Sequence, residues 1–160
     1  MLKVCLVLPA LVFWAAACST EPFECGPREA VVRRVIDGDT VELASGERVR
    51  YLLVDTPEST GGTVECFGSE ARDENRALVE GRRVSLRYDA ECRDRYERLL
   101  ARCRLDGDDI GAWLVRVGLA VSYGDYEREE TTARKRKLGL WAGSFEWPSA
   151  WRQRNAPSGS

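Results

Sequence analysis

Alternating apolar and polar residues predict five β-strands in this chain. Residues 30–55 contain three such segments, AVVRRVI, TVELA and ERVRYLLVD, with the turn SGE between the last two. Two more, RRVSLRYD and RLLARCRLD, flank the polar stretch ECRDRYE. Short segments that are rich in Val and Leu and end at Asp, Ser or Gly are typical of strands. Three strands are therefore expected before residue 56, and two more between residues 82 and 106.

Three other segments have apolar residues at helical spacing. Residues 68–81, GSEARDENRALVEG, predict a helix with Ser69 as its N-cap and Gly81 as its stop. Residues 108–120 place apolar side chains on one helical face, and a last helix is expected from about Glu127 to Leu140. A helix after the third strand and helices after the fifth predict an α+β domain. The expected architecture is a five-stranded OB-fold-like β-barrel capped by about three helices.

The first residues have the composition of an export signal. Lys3 provides a positive end, residues 4–14 are apolar, and small residues lead into Cys18. The apolar run is too short for an ordinary membrane span. The sequence AAAC resembles a bacterial lipobox, in which the Cys carries the lipid, although Ala15 stands where Leu is usual. We therefore expect lipidation at Cys18 and a cell-envelope lipoprotein, with secretion without a lipid as the alternative.

These features divide the chain into four parts. Residues 1–17 are expected to be a signal peptide and residues 18–29 a lipid-anchored tether. The folded domain is expected over residues 30–152, and residues 153–160, rich in polar residues, Pro and Gly, predict a disordered tail. At this length we expect one domain and a monomer.

Four cysteines lie outside the export segment, at positions 25, 66, 92 and 103. In an exported protein four thiols favour two disulfides, with three possible connectivities. Zinc is disfavoured because the chain has no His and no CxxC pair. Cys92 and Cys103 lie on either side of one predicted strand-turn-strand, so we favour Cys92–Cys103 and therefore Cys25–Cys66.

The charge composition limits the chemistry. The formal net charge is −2 and histidine is absent. The commonest general base is therefore missing. Without excess positive charge, an anionic ligand must be held by a local group of arginines.

The stretch VIDGDTVEL places Asp37 and Asp39 in a tight turn between two predicted strands. On these residues alone, ordinary turn chemistry is an equally good explanation. If the next hairpin pairs Leu43 with Arg48, however, Asp55 lies at the same end as the two turn carboxylates. Three converging carboxylates repel one another unless a cation lies among them. Such an oxygen-only set favours a hard divalent ion, Ca2+ above all.

Glu58 and two arginines complete a site for phosphodiester hydrolysis. Glu58 follows a rigid Thr-Pro pair and is the natural candidate for a base when no His is present. Arg50 shares a predicted strand with Asp55, and Arg98 begins another. A guanidinium binds phosphate through two parallel hydrogen bonds and stays charged at any working pH.

The segments VIDGDTVEL, VRYLLVDTPE, CFGSEA, DRYERLLA and VRVGLA, in this order, resemble the staphylococcal nuclease (thermonuclease) family. The resemblance runs from about Ala30 to Trp141. It implies calcium-dependent endonucleolytic cleavage of DNA and RNA that leaves 3′-phosphates. It also implies the following roles: calcium ligands Asp39, Asp55 and the Thr56 carbonyl, with Asp37 and Thr40 beside them; general base Glu58; phosphate-binding Arg50 and Arg98; nucleotide contacts Arg95, Tyr96 and Tyr123.

One position departs from the family pattern. The family usually reads Tyr-Gly-Arg where this chain has Tyr96-Glu97-Arg98. Glu resists the left-handed backbone angles that Gly tolerates, and its charge lies beside a phosphate-binding arginine. The alternative function is therefore a non-catalytic nucleic-acid-binding module on the cell envelope. The retained carboxylates and Arg50 argue against that alternative. They also argue against a purely structural lipoprotein.

Overall fold

The structure is a computed structural model that describes residues 25–60, 65–143, 148 and 150. The predicted export signal, the lipidation site at Cys18 and the tail at residues 153–160 lie outside the described residues. None of the helices within the described part is long and apolar enough to cross a membrane.

Eight strands, three α-helices and one 3-10 helix make up the described domain. The strands are β1 Glu29–Asp37, β2 Thr40–Leu43, β3 Arg48–Tyr51, β4 Val54–Asp55, β5 Arg83–Arg93, β6 Leu99–Leu105, β7 Asp108–Asp109 and β8 Val121–Ser122. The helices are α1 Gly68–Val79, α2 Ile110–Arg116 and α3 Glu127–Arg136, and the 3-10 helix is Gly139–Ala142.

Five of the strands close into a barrel. The sheet order is β3-β2-β1-β5-β6, and β3 also pairs with β6 in parallel, with Val49 opposite Leu99. β7 extends β6 at the edge, and β4 pairs with β8 in a separate two-stranded sheet. This arrangement confirms the predicted α+β class, the OB-fold-like barrel and the three helices.

The barrel interior is the main core. Val32, Val41, Val49 and Leu99 are fully buried there, and Leu114 of α2 packs against them. Each such side chain stabilises the fold by roughly 1.5–3 kcal/mol relative to exposure. The core therefore fixes the strands whose ends carry the predicted site residues.

The hairpin register differs by one residue from the predicted one. Glu42, not Leu43, lies opposite Arg48, and Thr40 lies opposite Arg50. Leu43 N donates to the Glu47 carbonyl oxygen at 2.8 Å, so the hairpin loop comprises residues 44–46 and not the predicted SGE at residues 45–47. Gly46 adopts φ +91°, the left-handed conformation typical of a three-residue hairpin loop.

The third predicted strand is broken in two, and the first helix begins without the predicted cap. Leu53 has φ +63°, so the chain bends and β4 pairs with β8 rather than continuing β3. Helix α1 begins at Gly68, one residue before Ser69, and Phe67 at its N-cap makes no side-chain capping bond. The prediction of Ser69 as N-cap is wrong because the first intrahelical bond runs from Ala71 N to the Phe67 carbonyl oxygen, at 2.9 Å, which makes Phe67 the N-cap.

Both predicted disulfide pairings are wrong. Cys25 is bonded to Cys92, while Cys66 is an exposed thiol and Cys103 a buried one. The register of β5 and β6 places Cys103 opposite Leu86, well along the strand from Cys92, with its side chain inside the barrel. The N-terminal segment runs beside β5 and so brings Cys25 to Cys92. Burial raises the pKa of the Cys103 thiol to about 12.

Candidate active site

Arg50 links two of the predicted calcium ligands. Its guanidinium lies 3.0 Å from Asp39 Oδ2 and donates to Asp55 Oδ1, also at 3.0 Å. It donates as well to the carbonyl oxygens of Tyr51 and Val54, at 3.0 and 2.8 Å. The guanidinium is thereby fixed by backbone and by carboxylates together. It supplies the positive charge that two buried carboxylates require in close proximity.

The local chain geometry explains why the Arg50 guanidinium contacts both carboxylates. Thr40 lies opposite Arg50 in the β2–β3 ladder, which sets Asp39 beside the arginine. The bend at Leu53 then returns the chain, so that Asp55 reaches the same guanidinium.

Asp39 is held in a single orientation by neighbouring donors. The Thr40 hydroxyl donates to Asp39 Oδ1 at 3.0 Å. Thr56 donates to Asp39 Oδ2 through both its backbone N–H, at 2.9 Å, and its hydroxyl, at 3.0 Å. All three residues are buried. The predicted ligands Asp39, Asp55 and Thr56 and their neighbour Thr40 are therefore brought together.

Asp37 contacts a different part of the site. Its Oδ1 accepts from the backbone N–H of Gly38, at 2.8 Å, and from the backbone N–H and hydroxyl of Ser59, at 3.2 and 2.8 Å. The predicted convergence of three carboxylates is thus wrong: Arg50 joins Asp39 and Asp55, whereas Asp37 fixes the loop at Ser59. Among the described residues, no three Asp, Glu or Cys side chains form a metal-binding group.

Without Asp37, the oxygen ligands that remain still fit a hard cation. Asp39 and Asp55 are buried carboxylates, and Thr56 lies beside them, with its backbone N–H bonded to Asp39. The Thr56 carbonyl oxygen is the further ligand that the family resemblance implies. Hard divalent ions take oxygen ligands, and water or a phosphate oxygen would supply the remaining positions.

Glu58 lies in the middle of this framework. It follows Pro57 and stands between Thr56 and Ser59, which are bonded to Asp39 and Asp37 respectively. Its own N–H donates to Glu65 Oε2 at 3.0 Å, and its carbonyl oxygen accepts from Glu65 N at 2.9 Å. The residue predicted to be the base is partly exposed on a segment with a fixed backbone.

Arg98 reaches the site from the turn between β5 and β6. Its Nε and Nη2 lie 2.7 and 2.6 Å from Asp94 Oδ2, and its Nη1 donates to the Thr40 hydroxyl at 3.4 Å. Partial burial opposes ionisation of Asp94. The bonds from the Arg98 guanidinium and from the backbone N–H groups of Arg98 and Tyr96 outweigh it, and the pKa of Asp94 is lowered.

Glu97 has the left-handed backbone that the Gly-to-Glu departure implied. Its φ is +61°, and its N–H closes the turn onto the Asp94 carbonyl oxygen at 3.0 Å. Left-handed geometry costs a non-glycine residue roughly 1–2 kcal/mol. The turn that presents Arg98 is therefore strained.

The predicted nucleotide contacts are exposed aromatic and cationic groups. Tyr96 is 63% exposed and Tyr123 50% exposed, so neither side chain belongs to the core. The Arg95 guanidinium lies 4.8 Å from the centre of the Tyr96 ring. The Tyr123 hydroxyl donates to Asp55 Oδ2 at 3.4 Å, which ties that ring to the site. Exposed rings beside arginines suit base stacking.

Sequence reasoning missed three residues that support the site. Glu65 is bonded to the Glu58 backbone, and Asp94 is bonded to the Arg98 guanidinium. Asn75 lies fully buried on α1. Asn75 accepts from the Tyr51 hydroxyl at 3.0 Å and donates to the Asp37 carbonyl oxygen at 3.3 Å. Asn75 carried a signal in the sequence, because it is the only side-chain amide in the α1 segment. Glu65 and Asp94 lie in polar loops, and nothing in the sequence marked them as site residues.

Comparison with known proteins shows the family of this chain. A family model described as "Staphylococcal nuclease homologue" matches residues 48–143. The chain therefore belongs to the staphylococcal nuclease family, as its sequence motifs predicted.

Three relatives illustrate the similarity. The SPbeta prophage-derived endonuclease YokF of Bacillus subtilis (strain 168) is 32% identical over 130 residues, 71% of this chain and 44% of that protein. Endonuclease YncB of the same organism is 35% identical over 127 residues, covering 69% and 60% of the two chains. The thermonuclease of Staphylococcus intermedius is 34% identical over 125 residues, covering 69% and 74%. The chain thus spans about half the length of the two Bacillus relatives.

Proposed function

We propose that this protein is a calcium-dependent endonuclease that hydrolyses phosphodiester bonds of DNA, RNA or both and leaves 3′-phosphates. The observation that carries the proposal is the half-buried Arg50 guanidinium that joins the buried carboxylates of Asp39 and Asp55 beside the segment bearing Glu58. The names of the relatives, endonuclease and thermonuclease, support the same reaction.

The calcium ligands would be Asp39, Asp55 and the Thr56 carbonyl oxygen. When bound, calcium would supply positive charge to the phosphate and lower the cost of its additional negative charge during attack. Oxygen ligands of this kind favour calcium over the softer transition metals.

The protein side chains then divide the remaining tasks. Arg50 and Arg98 would bind the phosphate oxygens and stabilise the five-coordinate phosphorus. Glu58 would accept a proton from the water as its oxygen bonds to phosphorus. The bond from phosphorus to the 5′-oxygen would break, the 5′-oxygen would take up a proton from solvent water, and the phosphate would remain on the 3′ side. Tyr96 and Tyr123 would stack on the flanking bases, with Arg95 beside Tyr96.

The test is an assay of the soluble domain, residues 25–152, on single-stranded DNA and on RNA. We expect cleavage with calcium, none after chelation, and products with 3′-phosphates. The variant Asp39→Ala should bind calcium much more weakly by titration calorimetry. Unchanged calcium affinity in Asp39→Ala removes the metal assignment. DNA binding without cleavage in calcium establishes instead the non-catalytic binding module.

We also propose that the protein is exported and anchored to the cell envelope by a lipid on Cys18. The short apolar run and the AAAC sequence support this proposal, as does the disulfide between Cys25 and Cys92, since disulfides persist in oxidising compartments. Cys18→Ser should block lipid attachment and move the protein from the membrane fraction to the soluble fraction. An unchanged membrane fraction contradicts the anchor.

A further inference from the structure

The segment that carries Glu58 is fixed by buried carboxylates. Three of its backbone N–H groups donate to carboxylate oxygens, and the three acceptor residues are all buried. Such bonds to charged acceptors are stronger than bonds between neutral groups. The pairs are Thr56 N to Asp39 Oδ2 at 2.9 Å, Glu58 N to Glu65 Oε2 at 3.0 Å and Ser59 N to Asp37 Oδ1 at 3.2 Å.

Glu65 differs from the other two acceptors because it holds both backbone polar groups of Glu58. Its side chain accepts from Glu58 N, and its own N–H donates to the Glu58 carbonyl oxygen at 2.9 Å. With both groups bonded to one residue, the direction of the Glu58 Cα–Cβ bond is fixed. Only the side-chain torsions of Glu58 remain to place its carboxylate.

The start of α1 closes this arrangement from the other side. Gly68 N donates to the Glu65 carbonyl oxygen at 2.9 Å. A Cβ at Gly68 would lie 2.2 Å from the Glu58 carbonyl oxygen, so the helix end is packed directly on the Glu58 backbone. Glu65 therefore connects the rigid helix to the segment that carries the base.

We propose that Glu65 is a positioning residue for Glu58, an inference that rests on the proposed function. A general base must lie within hydrogen-bonding distance of the proton it removes. When the acceptor at Glu65 is lost, the Glu58 backbone can relax, and a displacement of about 1 Å costs about 100-fold in rate.

A double-mutant cycle on the soluble domain tests this role. Glu65→Ala should lower kcat by about 10–100-fold. KM and calcium affinity should stay within about twofold, because Asp39, Asp55 and Arg50 are untouched. Glu65→Gln should keep most of the rate, since its amide oxygen can still accept from Glu58 N. In the Glu58→Gln background, Glu65→Ala should add less than about threefold, because both changes act on one group.

The backbone provides a readout that does not depend on turnover. The backbone N–H of Glu58 should be protected from hydrogen exchange in the wild-type domain and should lose that protection in Glu65→Ala. Glu80→Ala is the matched control, because Glu80 Oε2 accepts the backbone N–H of Val35 at 2.8 Å, away from Glu58. That variant should leave both the rate and the Glu58 amide unchanged. If Glu65→Ala does not fold, Glu65→Asp replaces it.

The outcomes separate this inference from the proposed function. Additive losses in the cycle, or a Glu58 amide that stays protected in Glu65→Ala, overturn the positioning role alone. Full activity of Glu58→Gln by itself refutes the assignment of the base, and the role of Glu65 with it. If Glu65→Gln loses as much rate as Glu65→Ala, the inference is also overturned, because the Gln side chain still has an oxygen that can accept from Glu58 N.

Discussion

Arg50 and Arg98 reach the same site from two different kinds of support. The Arg50 side chain is 18% exposed and is bonded to two carboxylates and two backbone carbonyls. The Arg98 side chain is 27% exposed and depends mainly on Asp94, within a turn that contains the left-handed Glu97. Two arginines with one predicted role thus differ in how firmly the fold holds them. In this protein the guanidinium on a barrel strand is therefore held by more bonds than the guanidinium that follows a surface turn.

The largest expected effect is on the cleavage rate, and it comes from Glu58, whose segment is bonded to the same Asp39 that Arg50 contacts. Glu58→Gln should reduce the cleavage rate by about 10²–10⁴-fold, because the amide cannot accept the proton of the attacking water. Binding of calcium and DNA should persist, since the amide keeps the size of the side chain. Single-turnover kinetics with separate binding measurements check this. Near-normal turnover would remove Glu58 from the mechanism.

The stability of Arg50→Met and Arg98→Met measures how firmly the fold holds each arginine. Arg50→Met should lower the free energy of unfolding by about 3–5 kcal/mol without calcium, because two buried carboxylates lose their cation. Calcium should restore part of that loss. Arg98→Met should cost roughly 0–1 kcal/mol, since its ion pair is more exposed. Urea denaturation with and without calcium measures both, and equal losses would contradict the distinction.

A smaller effect of opposite sign is expected at Glu97. Glu97→Gly should raise the free energy of unfolding by roughly 1 kcal/mol, because Gly adopts φ +61° without steric cost. It should also raise the cleavage rate, since the turn can then present Arg98 without strain. Glu91→Gly, at an exposed position in β5, is the matched control and should lower stability. An unchanged rate in Glu97→Gly would mean that Arg98 is already well placed.

The smallest effect concerns the Asp94–Arg98 pair and its dependence on pH. The pKa of Asp94 is lowered in the folded state, so ionised Asp94 stabilises the fold above the ordinary Asp pKa of about 3.9. This contribution is lost as the pH falls through the lowered pKa of the folded state. Asp94→Asn should therefore be less stable than wild type by roughly 0–1 kcal/mol at neutral pH and equal to it in strong acid. A difference that is independent of pH would contradict the pair.

The sequence alone was enough for the fold class and for the family. Alternating segments and turn residues predicted the strands, and the motifs around Asp39, Asp55 and Glu58 predicted the family. These features are local, because each depends on side chains that are close together in the chain. The exposed thiol at Cys66 and the buried one at Cys103 were missed for the opposite reason: no local pattern records which cysteines the barrel brings together.

How the site residues are held depends on the folded chain. A three-residue loop set the β2–β3 register, and the bend at Leu53 turned Asp55 back to Arg50. The separation of Asp37 from the other carboxylates depends on its contact with Ser59, 22 residues along the chain. The support of Glu58 by Glu65, seven residues on, depends on the packing of the start of α1 against the Glu58 backbone. Such contacts are chosen by packing and by the need to pair every buried charge. The sequence determines which charged and polar groups are present, and the folded chain determines which partner each buried group contacts.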